Sequence, residues 1–155
     1  MGFKERDSIE CVHRKFCKYV LNISYRLPNA VAYGECGRFP LYVEYYTKCI
    51  KYWLRVISLP FERFSHQCYL SMRQTCKRRH PNWCTHIRDL LYKYGFGIVW
   101  KSQEVGNSNV FINLFKQRVK DCWQQEWHSS VTSKNTLVFY SSCKFCWFVK
   151  NIYQI

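Results

Sequence analysis

Apolar side chains recur every three or four residues in five stretches of this sequence, and four prolines at positions 28, 40, 60 and 81 interrupt the chain between stretches. This spacing is the period of an α-helix that buries one face, whereas a half-buried strand repeats every second residue. The pattern therefore predicts a mainly α fold, a single irregular helical domain of about six or seven helices that spans residues 1–155.

The first predicted helix has the clearest pattern. Asp7 and Glu10 have the spacing of a capping box at its N-terminus. An apolar face follows and should pack inward; it consists of Ile9, Val12, Phe16, Val20 and Ile23. The basic residues of this helix fall largely off that face and are His13, Arg14, Lys15 and Lys18.

Further helices follow along the chain. We expect a short helix over residues 30–33 and then four longer helices. Their inward faces, in chain order, are Leu41, Tyr45, Cys49, Trp53 and Val56; Phe64, Cys68, Met72 and Cys76; Ile87, Leu90, Leu91 and Tyr94; and Phe111, Phe115, Val119 and Cys122. Gly95 is placed to end the third of these and Asn107 or Ser108 to begin the fourth, which should reach Trp127. Residues 97–100 fit a short strand or a connection, residues 129–134 a polar loop, and a last helix should begin near Asn135.

The charge balance bounds the function. Twenty-four Lys and Arg residues against ten acids give a net charge of +14, which attracts nucleic acid, an anionic surface or an acidic partner. The sequence offers no apolar run long enough to cross a membrane and no apolar core of a secretory signal at its start. We expect an intracellular protein, in the cytoplasm or the nucleus, whose ten cysteines are reduced.

Enzyme and metal chemistry find little support in the sequence. The three aspartates, Asp7, Asp89 and Asp121, do not form the carboxylate cluster that holds two metal ions in a polymerase. Two Cys/His groups invite a zinc interpretation, Cys143 with Cys146, and Cys76, His80, Cys84 and His86. A structural zinc site needs four ligands at suitable spacing, so we predict no catalytic residue, no metal and no cofactor.

Three groups of basic residues are candidates for phosphate contacts: His13, Arg14, Lys15 and Lys18; Lys77, Arg78 and Arg79; and Lys116, Arg118 and Lys120. The middle group fits equally well a solvated helix end whose cations complement the helix dipole. Stacking platforms for unpaired bases are a further possibility at Tyr45, Tyr46, Tyr52 and Trp53, although the periodicity favours core positions for Tyr45 and Trp53.

Six segments together carry a resemblance to a known family. They are Gly2–Lys4 with Asp7–Lys18; Pro28-Asn29 with Tyr33–Leu41; Ile50–Trp53; Asp89–Leu91 with Tyr94–Phe96; Phe115–Val119 with Gln125–Trp127; and Leu137–Tyr140. In this order they resemble the region that follows the reverse transcriptase of invertebrate LINE-like (non-LTR) retrotransposons, with a departure at Cys36, where leucine is expected. The resemblance implies that a polymerase domain lies upstream and a Cys/His-rich segment downstream, so that this chain is cut at both ends.

The function predicted from these observations is that of an accessory segment of an RNA-directed DNA polymerase. It would bind the phosphate backbone of RNA or DNA without catalytic activity, membrane contact or a small-molecule substrate. The alternatives are a scaffold segment that packs on the polymerase domain, and a decayed transposon-derived reading frame without function.

Overall fold

The computed structural model describes residues 4–76, 82–133 and 140. Within these residues it contains seven α-helices and no strand. In chain order they are α1 (Lys4–Val20), α2 (Asn29–Cys36), α3 (Leu41–Ile57), α4 (Phe64–Cys76), α5 (Trp83–Lys93), α6 (Gly97–Ser102) and α7 (Ser108–Thr132). The predicted mainly α fold of six or seven helices is confirmed. The predicted last helix near Asn135 lies outside the described residues, apart from Tyr140.

Contacts within the chain group into two compact units. Unit 1 comprises Met1–Tyr42 and Lys120–Ile155, and unit 2 comprises Val43–Val119. The helices α3 and α7 each contribute residues to both units.

Unit 2 is built around an aromatic core. The side chains of Trp53, Tyr69 and Phe115 are almost completely buried, together with Ile50, Ile87 and Leu91. The indole N–H of Trp53 donates to the Tyr69 hydroxyl at 3.1 Å, and that hydroxyl donates to the side-chain oxygen of Gln103. Buried polar atoms that are paired in this way avoid a desolvation penalty, so the aromatic core is held in one arrangement.

The ends of two helices in unit 2 follow the predicted signals. The side-chain oxygen of Asn107 accepts the backbone N–H groups of Asn109 and Val110 at the start of α7. Gly95, just after α5, has a φ of +87°, a left-handed conformation that glycine adopts without steric cost. Both predictions of helix ends are confirmed.

Unit 1 packs α2 against α1 and the C-terminal half of α7. Ala32 and Tyr33 are buried there with Trp123 and Val131. The approach is close at Gly34, where a Cβ atom would lie 3.1 Å from the ring of Trp127 and would also collide with the hydroxyl of Tyr140. Glycine is therefore the residue that this contact accommodates.

The predicted orientation of α1 is wrong. Its apolar residues are exposed, by 59% at Ile9, 67% at Val12, 61% at Phe16 and 60% at Val20, whereas Glu10 and Lys18 are buried. The reason is hydrogen bonding within unit 1: Glu10 accepts the buried Tyr33 hydroxyl and the Leu41 N–H, and Lys18 donates to the Tyr25 carbonyl. The predicted capping box is also wrong, because α1 begins at Lys4, ahead of Asp7.

Several other details of the prediction also need correction. Trp53, Val56 and Cys76 are buried as expected, but Leu41, Tyr45 and Phe64 are exposed, and Val43, Tyr46 and Tyr69 are buried instead. Residues 97–100 are helical, in α6, and the predicted loop from 129 is helical as far as Thr132.

Candidate nucleic-acid interface

A groove in unit 2 lies between the exposed face of α3 and the start of α7. Its volume is about 460 Å³, and its walls are formed by Lys48, Lys51, Tyr52, Leu54, Arg55, Ser58, Ser108, Asn109 and Ile112. We call it the cationic groove, because three of its side chains are cations and none of these described residues is acidic.

The three cations occupy one face of α3. Lys48, Lys51 and Arg55 follow each other at spacings of three and four residues, and all are exposed, so their charged ends point to the same side of the helix. The start of α7 adds the positive end of a helix dipole, and the side chains of Ser108 and Asn109 add hydrogen-bonding groups. The groove thus combines charge and donors that suit phosphate oxygens.

The single acidic residue of α3 is paired with a cation. Glu44 lies one helical turn before Lys48 on this face, where it has the spacing of a competing i,i+4 partner. Its carboxylate instead contacts the ammonium of Lys116 on α7 at 2.6 Å. No carboxylate among the described residues forms an ion pair with Lys48, Lys51 or Arg55.

The basic residues predicted on α1 separate into two kinds. Arg14 and Lys15 line a groove of about 560 Å³ in unit 1, with Lys18, Tyr19 and Tyr25. Lys18, however, is only 9% exposed, and its ammonium donates to the backbone carbonyls of Tyr25, at 2.9 Å, and of Leu27. Lys18 therefore closes the turn after α1, so its ammonium, predicted to contact phosphate, is instead buried and engaged within unit 1.

His13 is likewise occupied within unit 1. Its ring lies 3.5 Å from the Glu10 carboxylate and 5.8 Å, between centroids, from the ring of Tyr33. Burial, followed by the hydrogen bond to Glu10, raises the pKa of the Tyr33 phenol far above its usual range. The phenol therefore stays protonated and serves as a donor to Glu10.

The predicted basic residues of α7 differ in their contacts. Lys116 holds Glu44, Arg118 is exposed, and the ammonium of Lys120 lies 4.8 Å from the ring centroid of Phe39 in a cation–π contact. The remaining predicted group, Lys77, Arg78 and Arg79, lies outside the described residues.

A second concave site of unit 2 adjoins the cationic groove at Tyr52. It has a volume of about 370 Å³ and is lined by Tyr52, Val56, Phe64, Ser65, Cys68, Tyr69, Met72 and Trp83. We call it the aromatic pocket. Tyr52 is 55% exposed, and its ring meets that of Trp83 edge-on with centroids 5.5 Å apart.

Asn82 fixes the position of Trp83, which begins α5. The side-chain nitrogen of Asn82 donates to the Met72 carbonyl at 2.9 Å and to the Thr75 hydroxyl at 2.8 Å, both on α4. Its side-chain oxygen accepts the backbone N–H of Thr85 and caps α5. One side chain thereby ties the end of α4 to the start of α5, and both helices line the aromatic pocket.

Two cysteines of α4 and α5, Cys76 and Cys84, are buried thiols. Burial, with Cys76 as the next cause, raises the pKa of Cys84 to about 12, and the thiol of Cys76 donates to the side-chain oxygen of Asn82 at 3.2 Å. Metal ligation requires the thiolate. The described part of the chain contains no group of three or more Cys, His, Asp or Glu residues placed to hold a metal ion; His80, Cys143 and Cys146 lie outside it.

The sequence prediction missed the groove cations, although a signal was present. Lys48, Lys51 and Arg55 recur at helical spacing in the third predicted helix, but they are interspersed with tyrosine and cysteine and do not form a consecutive basic run. Of the predicted stacking residues, Tyr45 and Tyr52 are exposed, whereas Tyr46 and Trp53 are buried.

Comparison with known proteins identifies no relative: no family model, curated protein or solved structure matches this chain. Among its described helices, none combines the length and apolar character needed to cross a membrane.

Proposed function

We propose that this chain binds nucleic acid through phosphate contacts in the cationic groove. The observation that carries the proposal is the set of three exposed cations, Lys48, Lys51 and Arg55, in one concave site without an acidic lining residue. The net charge of +14 supports it, because the field of the whole chain draws polyanions toward such a site.

Binding of this kind positions a strand and specifies little sequence. Lysine, arginine and hydroxyl groups contact the phosphates, which are the same for every base, and most of the affinity arises from the release of counterions. Arg14, Lys15 and Arg118, together with the basic run Lys77–Arg79, are proposed to make further phosphate contacts.

The resemblance to the region after a reverse transcriptase suggests where such a segment acts. We propose an intracellular accessory segment, in the cytoplasm or the nucleus, that holds RNA or DNA for a polymerase domain of the same parent protein. The segment itself would carry out no catalysis, and it should extend no primer with Mg²⁺ or Mn²⁺.

The test is the salt dependence of binding by the whole chain, measured by fluorescence anisotropy. If about six phosphates are neutralised, affinity for a duplex should fall about a thousandfold between roughly 50 and 200 mM salt. An unrelated protein of equal net charge is the control. Affinity at low salt no better than that of the control would contradict the proposal.

A second function is favoured by the exposed apolar face of α1. Its members Ile9, Val12, Phe16, Tyr19 and Val20 are each between 59% and 84% exposed, and an apolar patch on a helix is typical of a surface that packs on another protein. The scaffold function, packing on a polymerase domain, would use this face.

The two functions make separable predictions. A double change Val12→Ser and Phe16→Ser should reduce self-association and dye binding of the chain while leaving nucleic-acid affinity unchanged. The matched control is Ser129→Ala with Ser130→Ala on exposed positions of α7. If the double change alters nucleic-acid affinity and leaves association unchanged, the scaffold function loses its support.

A further inference from the structure

We propose that the aromatic pocket takes an unpaired base of the strand whose phosphates lie in the cationic groove, so that the chain selects single-stranded over duplex nucleic acid. This inference rests on the proposed function. It adds to phosphate binding a base-binding site and a class of ligand, an unpaired nucleotide in RNA or DNA.

The first argument is continuity. Tyr52 lines both the cationic groove and the aromatic pocket. Lys51, the residue before Tyr52, lines the groove. Val56, one helical turn after Tyr52 on α3, lines the pocket. A nucleotide has an anionic phosphate at one end and an aromatic base at the other, and the two sites place a cationic surface beside an aromatic one in the same way.

The second argument is the chemistry of the pocket. Aromatic and apolar side chains predominate in its lining, with rings from Tyr52, Phe64 and Trp83 and the thioether of Met72. Its volume of about 370 Å³ falls within the range of about 300–1,000 Å³ that is usual for small-molecule sites. Every base presents a π face, so aromatic platforms bind unpaired bases with little regard to sequence.

The third argument is that the pocket is open at its rim and fixed at its base. Phe64 is 81% exposed and Tyr52 is 55% exposed, so both rings are available at the surface. Tyr69, which forms the inner wall, is almost completely buried and is held by Trp53 and Gln103 through its hydroxyl. Asn82 holds Trp83 through its bonds to α4, so the platform exists before a ligand arrives.

The preference for single-stranded nucleic acid follows from the access of its bases to the aromatic pocket. In a duplex, each base is stacked and paired, and it reaches a side pocket only after it is flipped out at an energetic cost. An unpaired strand bears no such cost. Phosphate contacts in the groove are available to both forms, and the pocket adds a contact that an unpaired strand makes without this cost.

The experiment compares strands of about 12 nucleotides, long enough to span one such site. The probes are oligothymidylate, oligouridylate, an abasic strand of the same length and a duplex, each titrated with the whole chain at one salt concentration. Stacking on the pocket rings should make both base-bearing strands bind about 5- to 150-fold tighter than the abasic strand.

Four variants test whether the difference in affinity between base-bearing and abasic strands arises at the pocket. Tyr52→Leu and Phe64→Leu should each reduce the ratio of base-bearing to abasic affinity, and Phe64→Leu, at a residue that does not line the groove, should leave the salt slope unchanged. Tyr52→Phe should preserve the ratio. Tyr92→Leu is the matched control, because Tyr92 is 50% exposed on α5 and lines neither site.

The outcomes separate this inference from the proposed function. If the abasic strand binds as tightly as the base-bearing strands, while both exceed a protein of equal charge, the pocket takes no base and phosphate binding stands. If no strand binds this chain more tightly than it binds the protein of equal charge, the proposed function itself fails. Since Phe64 is highly exposed, Phe64→Leu tests the pocket without disturbing the core.

Discussion

The carboxylate of Glu10, on α1, accepts the backbone N–H of Leu41, the first residue of α3, at 3.0 Å. The same carboxylate accepts the hydroxyl of Tyr33 on α2. The first backbone N–H groups of a helix have no partner within it. Glu10, which is distant in sequence, accepts the Leu41 N–H in place of a capping side chain at the start of α3. The helices α1 and α2 and the first residue of α3 meet at this side chain, which is only 7% exposed.

Glu10→Ala should destabilise the protein. It leaves the buried Tyr33 hydroxyl without its acceptor, which costs about 1–3 kcal/mol, and it also removes the acceptor of the Leu41 N–H at the start of α3. The free energy of unfolding from urea titration measures this. Glu126→Ala, at an exposed position of α7, is the control and should change stability by less than about 0.5 kcal/mol. Equal effects of the two changes would show that Glu10 does not have this role.

Alkaline pH should weaken the fold above about pH 9. Burial raises the pKa of the Cys84 thiol from 9.0 to about 12, and burial also raises the pKa of the Tyr69 phenol. Between about pH 9 and 12 the unfolded chain releases the Cys84 proton while the folded chain retains it, so stability is complete below pH 9 and is lost as the pH rises toward 12.

Urea unfolding at intervals from pH 7 to 11, following far-ultraviolet circular dichroism, measures this loss. Cys84→Ala, which removes the titrating group, should flatten the decline above pH 9. A free energy of unfolding that stays constant to pH 11 in the unchanged protein would contradict the assignment of Cys84 as a buried, protonated thiol.

Lys116 should act on binding through Glu44. Their contact of 2.6 Å keeps the carboxylate from Lys48, so Lys116→Gln should free Glu44 to pair with Lys48 and weaken binding of nucleic acid. The double variant Glu44→Gln with Lys116→Gln removes both charges and should restore affinity to near its original value. If Lys116 contacts phosphate directly, as the sequence suggests, the double variant instead stays as weak as the single one.

The class of fold and most helix ends follow from the sequence, because they depend on local signals. Asn107, Gly95 and the prolines act within a few residues of themselves, and the described helices begin and end close to them. The orientation of α1 does not follow, because its periodicity predicts an inward Phe16 while distant groups on α2 and α3 draw Glu10 inward. Periodicity identifies the apolar face of a helix. It does not identify the hydrogen-bond partners that other elements supply to the opposite face.

The candidate interface was predictable only in part, for a related reason. Exposed cations on predicted helices are visible in the sequence, and Arg14, Lys15 and Arg118 are exposed or partly exposed as expected. Which cations share a groove depends on how α3 packs against the start of α7 in unit 2, and residues 58–107 separate these elements. Lys48, Lys51 and Arg55 therefore line a groove with the start of α7 only in the folded unit.

The most direct test of the cationic groove compares two double variants of equal net charge in one binding assay. Lys48→Gln with Lys51→Gln removes two groove cations, and Lys93→Gln with Lys101→Gln removes two exposed lysines of unit 2 that do not line the groove. For a single strand, loss of two phosphate contacts should lower the slope of log affinity against log salt by up to about 1.4. We predict this for the groove variant and a nearly unchanged slope for its control; equal loss in both would show that binding follows net charge and not the groove.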